Sequence, residues 1–295
     1  MLDIEKKIRN AASMIFQIKK SKNKIKTAKY VFSTFFMTFL GIFSKNSGKY
    51  IYDLEWDTIV ILDACRYDIF EEVITKFKGI NGKLTHIESR GSHTYDWIKN
   101  NFSHKEKYND LVVVAGNPHY SNIILKRMLG KNPFFHVEQV WQYDWDEMLE
   151  TVHPAKVTDA AINMRKKYPN KRMIIHYMQP HHPFITTKLG CDSKLAGAAN
   201  EKNIIMGSSD RTIWEEVVDG SITVEEVKSA QKEDLKLVLK EIKRLIPNLN
   251  GKVVISADHG DCYGEYGLYA HPGGCRIAPL IKVPWFEVKY AGEKK

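Results

Sequence analysis

From residue 51 onward the chain alternates short apolar runs with stretches whose apolar residues recur every three or four positions. The runs at 58–63, 111–115, 173–177 and 252–257 are dominated by Val, Ile, Leu and Met, as in strands covered on both faces. The clearest helical period starts at Thr223, where Thr223-Val-Glu-Glu226 is a capping box. It continues through Val227, Leu235, Val238, Leu239, Ile242 and Leu245 until Pro247 ends it. Shorter helices are predicted at 66–77, 95–102, 121–129 and 155–167. Strands alternating with helices predict an α/β fold with a central, mainly parallel sheet and helices on both faces. The stretch 186–220 has scattered Gly, Ser, Ala and Asn without a sustained period and reads as an insertion or lid.

Residues 1–50 have a different texture and read as a separate helical arm ahead of a 51–295 catalytic domain. Ile4, Ile8, Ala11, Ile15 and Ile18 share one helical stripe, with lysines on the other faces. The apolar stretch at 30–43 follows, shorter than the ~20 residues that cross a bilayer as a helix. It begins too late, and after acids as well as lysines, to resemble a secretory signal. Residues 1–45 therefore read either as an arm lying on an anionic membrane surface or as a helical extension packed on the body or on a second subunit. The expected location is cytoplasmic, peripheral to the membrane on the first reading.

Charge separates the same two parts. The 295-residue chain carries a net charge of +9, but residues 1–29 hold nine Lys or Arg against two acids. The rest is nearly balanced, which gives no reason to expect nucleic acid as a partner. The apolar and charged fractions, 43% and 27%, are those of a globular chain rather than a disordered one. The four cysteines lack Cys-x-x-Cys spacing, so neither a disulfide framework nor a thiolate zinc site is indicated.

Chemistry gathers at the predicted strand ends. Asp63 and Asp258 each close an apolar run, and the carboxyl ends of parallel strands form the ligand crevice of an open sheet. His259 and Gly260 follow Asp258 directly, so one turn offers an oxygen, an imidazole nitrogen and room for close backbone approach. His176-Tyr-Met-Gln-Pro-His-His-Pro-Phe184 brings His176, His181 and His182 to a third strand end, and His271 lies just beyond the Asp258 turn. These imidazoles suit metal binding, anion neutralisation or proton delivery. A nucleophilic hydroxyl belongs at a helix start, where free amides stabilise an oxyanion. Thr94 is the expected N-cap in Ser89-Arg-Gly-Ser-His-Thr-Tyr-Asp-Trp97, with Ser92 the alternative.

In this order, Val60-Ile-Leu-Asp-Ala-Cys-Arg-Tyr-Asp68, the hydroxyl-bearing turn, the histidine segment and Ser256-Ala-Asp-His-Gly-Asp-Cys-Tyr-Gly-Glu265 with His271 resemble the alkaline phosphatase superfamily. The likeness is to its sulfatase-like and phosphoglycerol-transferase-like branch, over residues 56–286. The resemblance implies that Asp63, Asp258 and His259 hold one divalent metal together with the nucleophile, Thr94 or Ser92. It implies contacts from His176, His181 and His182 to the substrate's anionic group, with Arg66 a further candidate. His271 would belong to the metal site, partly holding a second ion if there is one; one ion is the safer count. Ligands without thiolate fit Mn, Zn or Mg. No cysteine lies in the Cys/Ser-x-Pro-x-Arg turn that sulfatases of this superfamily convert to formylglycine. The expectation is therefore a metal-dependent hydrolase or transferase of phosphoric esters, on a phosphodiester or phosphoglycerol-type headgroup. A sulfate- or phosphonate-ester hydrolase and a catalytically silent binding or scaffolding member are the alternatives.

Overall fold

The computed structural model describes residues 24–43, 45–190 and 213–289. The expected amphipathic stripe from Ile4 to Ile18 and most of the 186–220 stretch lie outside them.

A seven-stranded sheet organises the molecule. Its strands are β1 (Thr58–Leu62), β2 (Asn81–Glu88), β3 (Tyr108–Ala115), β4 (Phe134–Gln139), β5 (Arg172–Tyr177), β6 (Val253–Ala257) and β7 (Lys282–Lys289), in the spatial order β2-β7-β6-β1-β5-β3-β4. The pairings β6-β1, β1-β5, β5-β3 and β3-β4 are parallel, while β7 runs antiparallel to both its neighbours. Every residue of β1 and β6 is buried. Ile59 and Ile61 feed one core and Val60 and Leu62 the other, as the two-residue repeat of a strand requires.

Helices cover both faces. Residues of α2 (Tyr67–Ile74), α5 (Pro154–Lys167) and α7 (Val224–Leu245) fill one core, and those of α3 (Thr94–Phe102) and α4 (Asn122–Leu129) the other. The capping box of α7 is formed: the Glu226 amide donates to Thr223 Oγ1 at 3.2 Å, and the Thr223 amide donates to the Glu226 carboxylate at 2.8 Å. Within the 186–220 stretch, α6 (Ile213–Asp219) is a helix with Ile213, Trp214, Val217 and Val218 buried.

Three strands escape the pattern of apolar runs. β2 and β4 are the sheet edges and mix charged with apolar residues, and β7 contains Pro284. Pro284 is tolerated because β7 pairs with β6 only from Trp285 to Glu287, so no second ladder needs its missing N–H.

Ahead of the sheet, α1 (Lys24–Phe43) takes in the apolar stretch and lies against α6 and the turn at Glu265–Gly267. Among the described residues, no helix is long and apolar enough to cross a membrane.

Candidate active site

Parallel register brings the first three groups together. Leu62 stands opposite Tyr177 on one side and Ala257 on the other, so Asp63 and Asp258 leave the sheet side by side. His176 is level with Ile61, one residue inside the edge. All three are buried. Backbone amides aim Asp258: its Oδ1 accepts from Ala64 N at 3.1 Å and His259 N at 2.9 Å. The first bond requires the left-handed turn at Ala64, φ 55°. Asn117, just beyond β3, donates Nδ2 to Asp63 Oδ2 at 2.6 Å.

Two polar atoms at this point have no hydrogen-bond partner, Asp63 Oδ1 and His176 Nε2. Orphaned buried groups cost free energy unless something binds them. Nε2 of His176 is 3.9 Å from Asp63 Oδ2 and 3.7 Å from Asp258 Oδ2. One ligand atom from each of Asp63, His176 and Asp258 lies within 4.8 Å of the others, a spacing fit for one metal ion. Burial lowers the His176 pKa and keeps the ring neutral. With the proton on Nδ1 directed to the Tyr120 hydroxyl, 3.2 Å away, Nε2 keeps its lone pair for a cation.

His259 completes the cluster. Its Nδ1 is 3.0 Å from the Gly260 carbonyl, and its Nε2 is 3.5 Å from Asp63 Oδ1 and 3.4 Å from Asp258 Oδ2. Burial disfavours its charged form, yet Asp258 and Asp63 outweigh burial and raise its pKa to about 10. Burial likewise pushes Asp63 up, but His259, His181 and His176 hold it well below the usual carboxylate range. The carboxylates thus concentrate negative charge at a place that favours a cation.

Thr94 faces this cluster from the first residue of α3. Its Oγ1 donates to Asp258 Oδ2 at 2.7 Å and is 3.5 Å from His259 Nε2. It is not the N-cap expected from the sequence. His93 takes that position in an extended conformation, its Nδ1 accepting from Asp96 N at 3.3 Å. An imidazole is an unusual cap, so a reading based on hydroxyl preference passes over it. Because His93 caps the helix, the Thr94 hydroxyl is left to bond Asp258.

A second wall is built of imidazoles. His271 Nδ1 bonds Asp261 Oδ1 at 2.6 Å. The His271 ring lies 4.5 Å from that of His259 and 5.1 Å from that of His181, which stacks on His182 at 4.1 Å.

No protein-family model matches the sequence, and no curated protein matches it. Solved structures do. Lipooligosaccharide phosphoethanolamine transferase A from Neisseria meningitidis, an integral membrane protein, superposes with a TM-score of 0.50 at 14% identity, over 82% of this chain and 49% of that one. The fold is alkaline phosphatase-like. The chain spans about half the length of that transferase. The periplasmic domain of a phosphoethanolamine transferase from Campylobacter jejuni matches at a TM-score of 0.46 and 13% identity, covering 78% of this chain and 77% of that one. A protein described as a sulfatase, from Bacteroides thetaiotaomicron, gives 0.45 and 12%, covering 80% of this chain and 64% of that one.

Within this alkaline phosphatase-like domain, Asp63, Asp258, His259 and Thr94 come together at one point. His271 stands one layer out, bound to Asp261, rather than among the buried ligand atoms. His176, expected at the substrate, is instead on the floor, buried beside Trp97 and Tyr120. Ser92 turns away: its hydroxyl donates to the Pro272 carbonyl at 3.0 Å. Arg66 is also corrected. Its guanidinium is engaged by Asp68 at 2.9 and 2.8 Å, Glu265 at 2.6 Å and the Asp261 carbonyl at 3.1 Å, and lies over the Tyr263 ring. It clamps the start of α2 to the 261–265 loop. Asn117 and Asp261 were not predicted. Asn117 follows the 111–115 run much as Asp63 follows its own, and Asp261 stands inside the Asp-His-Gly-Asp motif, so both carried the same strand-end signal.

Proposed function

We propose that this chain is a metal-dependent transferase or hydrolase of phosphoric esters, acting on a phosphodiester with a phosphoethanolamine- or phosphoglycerol-type headgroup and using Thr94 as nucleophile. One observation carries the reading: the Thr94 hydroxyl bonds Asp258 beside unpartnered Asp63 Oδ1 and His176 Nε2. The neighbouring structures include phosphoethanolamine transferases, which is consistent with an anionic ester substrate. The silent-scaffold alternative gives no reason for a hydroxyl and four candidate ligands to meet at one buried point.

The residues to hold the metal are Asp63, Asp258, His259 and His176. A divalent cation bound there lowers the pKa of the nearby hydroxyl and draws charge from the phosphoryl oxygens. Asp258 Oδ2, already accepting the Thr94 hydroxyl hydrogen, is placed to take that proton as Oγ1 bonds phosphorus. Thr94 opens α3, so the positive end of the helix dipole adds to the stabilisation of charge on the phosphoryl oxygens. As the phosphorus–oxygen bond to the leaving group opens, the departing oxygen takes a proton from water, while burial keeps His271 neutral and Asp261 holds its Nδ1, leaving Nε2 free to act as a base. His181 faces the anionic oxygens from the same wall. Water or an acceptor alcohol, giving its proton to His271, then attacks phospho-Thr94, and Asp258 returns its proton to Thr94 Oγ1 as that phosphorus–oxygen bond breaks.

The test is turnover of an aryl phosphodiester, an aryl phosphomonoester and an aryl sulfate, each with Mn, Zn, Mg or a chelator, by the protein and by Asp258→Ala. The expected result is diester turnover that needs the metal and is lost in Asp258→Ala. Equal turnover in chelator overturns the mechanism, and preference for the sulfate ester overturns the substrate class.

A further inference from the structure

Helix α1 has its polarity reversed. Ile25, Phe32, Phe35 and Phe36 fall on one stripe at the 3.6-residue repeat, and all four face outward. Ile25, Phe32 and Phe35 are 83%, 69% and 68% exposed, and the Phe32 and Phe36 rings stack with centroids 6.1 Å apart. The inward face is mixed. It carries Met37, packed against the cluster of Cys262, Leu268 and Leu280, but also buried Thr27, Tyr30 edge-on to Tyr269, and Lys26, whose Nζ donates to the Val217 carbonyl at 2.8 Å. A surface helix normally does the opposite, because burying the apolar stripe is what stabilises its docking.

A second element extends the patch. The turn at Glu265–Gly267 packs on α1 and presents Tyr266, 70% exposed, in a left-handed conformation with φ 55°. Holding a bulky residue there is costly, and nothing in the core is gained by it.

The charges at one end of this face identify what would cover it. Lys24 and Lys29 are exposed on α1, and the preceding 23 residues hold six further basic groups against two acids. Aromatic residues beside a concentration of lysines match a phospholipid surface with anionic headgroups, where rings enter the acyl boundary and lysines meet phosphates. We propose that the outward face of α1, with Tyr266, is the surface by which this protein lies on an anionic bilayer.

The geometry couples that surface to the site. A Cβ on Gly41 would fall 1.8 Å from the Gly274 carbonyl oxygen, so α1 rests directly on the loop that leaves His271. The same loop is tied to the nucleophile turn through Ser92 to Pro272, and through the Gly274 amide to Asp96 at 2.9 Å. A bilayer on the outward face of α1 is thus separated by the thickness of that one helix from the loop that connects His271 to the Thr94 turn.

The experiment is vesicle co-sedimentation of the full chain, with phosphatidylcholine alone and with phosphatidylcholine and phosphatidylglycerol mixed. It requires no turnover, so it succeeds or fails apart from the catalytic reading. Phe32→Ser, Phe35→Ser and Phe36→Ser combined is expected to lower partitioning to mixed vesicles at least ~10-fold, leaving turnover of a soluble ester unchanged. Lys24→Gln with Lys29→Gln is expected to lower it about fivefold per lysine on mixed vesicles and not on phosphatidylcholine alone. In a Phe36→Trp variant, tryptophan emission should shift to the blue on adding mixed vesicles by more than in the parent, which tests the contact without weakening the helix. Unchanged partitioning of the triple Phe variant overturns the proposal. So does light scattering that shows a dimer dissociated by the triple variant, since the stripe would then meet a second copy.

Discussion

Replacing the Thr94 hydroxyl by a methyl, Thr94→Val, separates the chemistry of the site from its architecture. The change is nearly isosteric in a buried position, so the backbone of α3 is retained. It removes one charge-assisted hydrogen bond, the 2.7 Å contact to Asp258 Oδ2, worth about 1.5–3 kcal/mol. For a domain of this size that lowers Tm on the order of 5 °C, which a thermal melt resolves. The effect on turnover should be far larger. Loss of the attacking oxygen is expected to cut kcat/KM for an aryl phosphodiester by ~10³-fold or more, about 4 kcal/mol of transition-state stabilisation. Thr94→Ser keeps the oxygen and should stay within roughly tenfold of the parent, because only a methyl is lost. Ser92→Ala is the internal control. It gives up only the hydroxyl's bond to Pro272, costs about 1 kcal/mol, and should leave turnover at the parental level. Phenolate release, measured on all three variants with metal present, decides the matter. A Thr94→Val protein that turns over within tenfold of the parent refutes the assignment of the nucleophile.

Two further outcomes follow from the same geometry. Asn117→Ala frees Asp63 Oδ2 from its 2.6 Å donor and should weaken metal binding about 10–100-fold, read by competition with a chelating indicator; unchanged affinity would mean that Asn117 does not orient Asp63. His119 has its pKa lowered from 6.5 to about 4, chiefly by burial, so between those values the unfolded chain takes up a proton that the folded one refuses. Stability should therefore be full above pH 6.5 and fall on acidification toward pH 4, by about 3 kcal/mol at most. Denaturant melts across this window should show a shallower slope for His119→Gln, and an unaltered slope would assign the pH dependence to other groups.

Much of this protein is written in its order of residues. Runs such as the one ending at Asp63 declare themselves because strands covered on both faces have no polar positions to fill. Asp63, Asp258 and His259 follow, since the residue after such a strand emerges at the edge where parallel sheets bind ligands. The capping box at Thr223 is equally local. The edge strands β2 and β4, and β7 with its proline, were not legible, because their pairing comes from neighbours and not from their own composition. The same holds for the direction of side chains. Thr94 rather than Ser92 faces the carboxylates because its partner, Asp258, lies 164 residues away, and because His93 takes over the cap. Arg66 is a clamp because Glu265, 199 residues on, folds against it. His176 sits on the floor and Asn117 steers Asp63 for the same reason. The stripe on α1 could be read from the sequence as apolar; only the packed structure determines that it points outward, since a helix periodicity specifies a face and not what meets it. Strand content and strand-end chemistry are local properties of the chain, whereas hydrogen-bond partners and the sidedness of a helix exist only once distant segments meet.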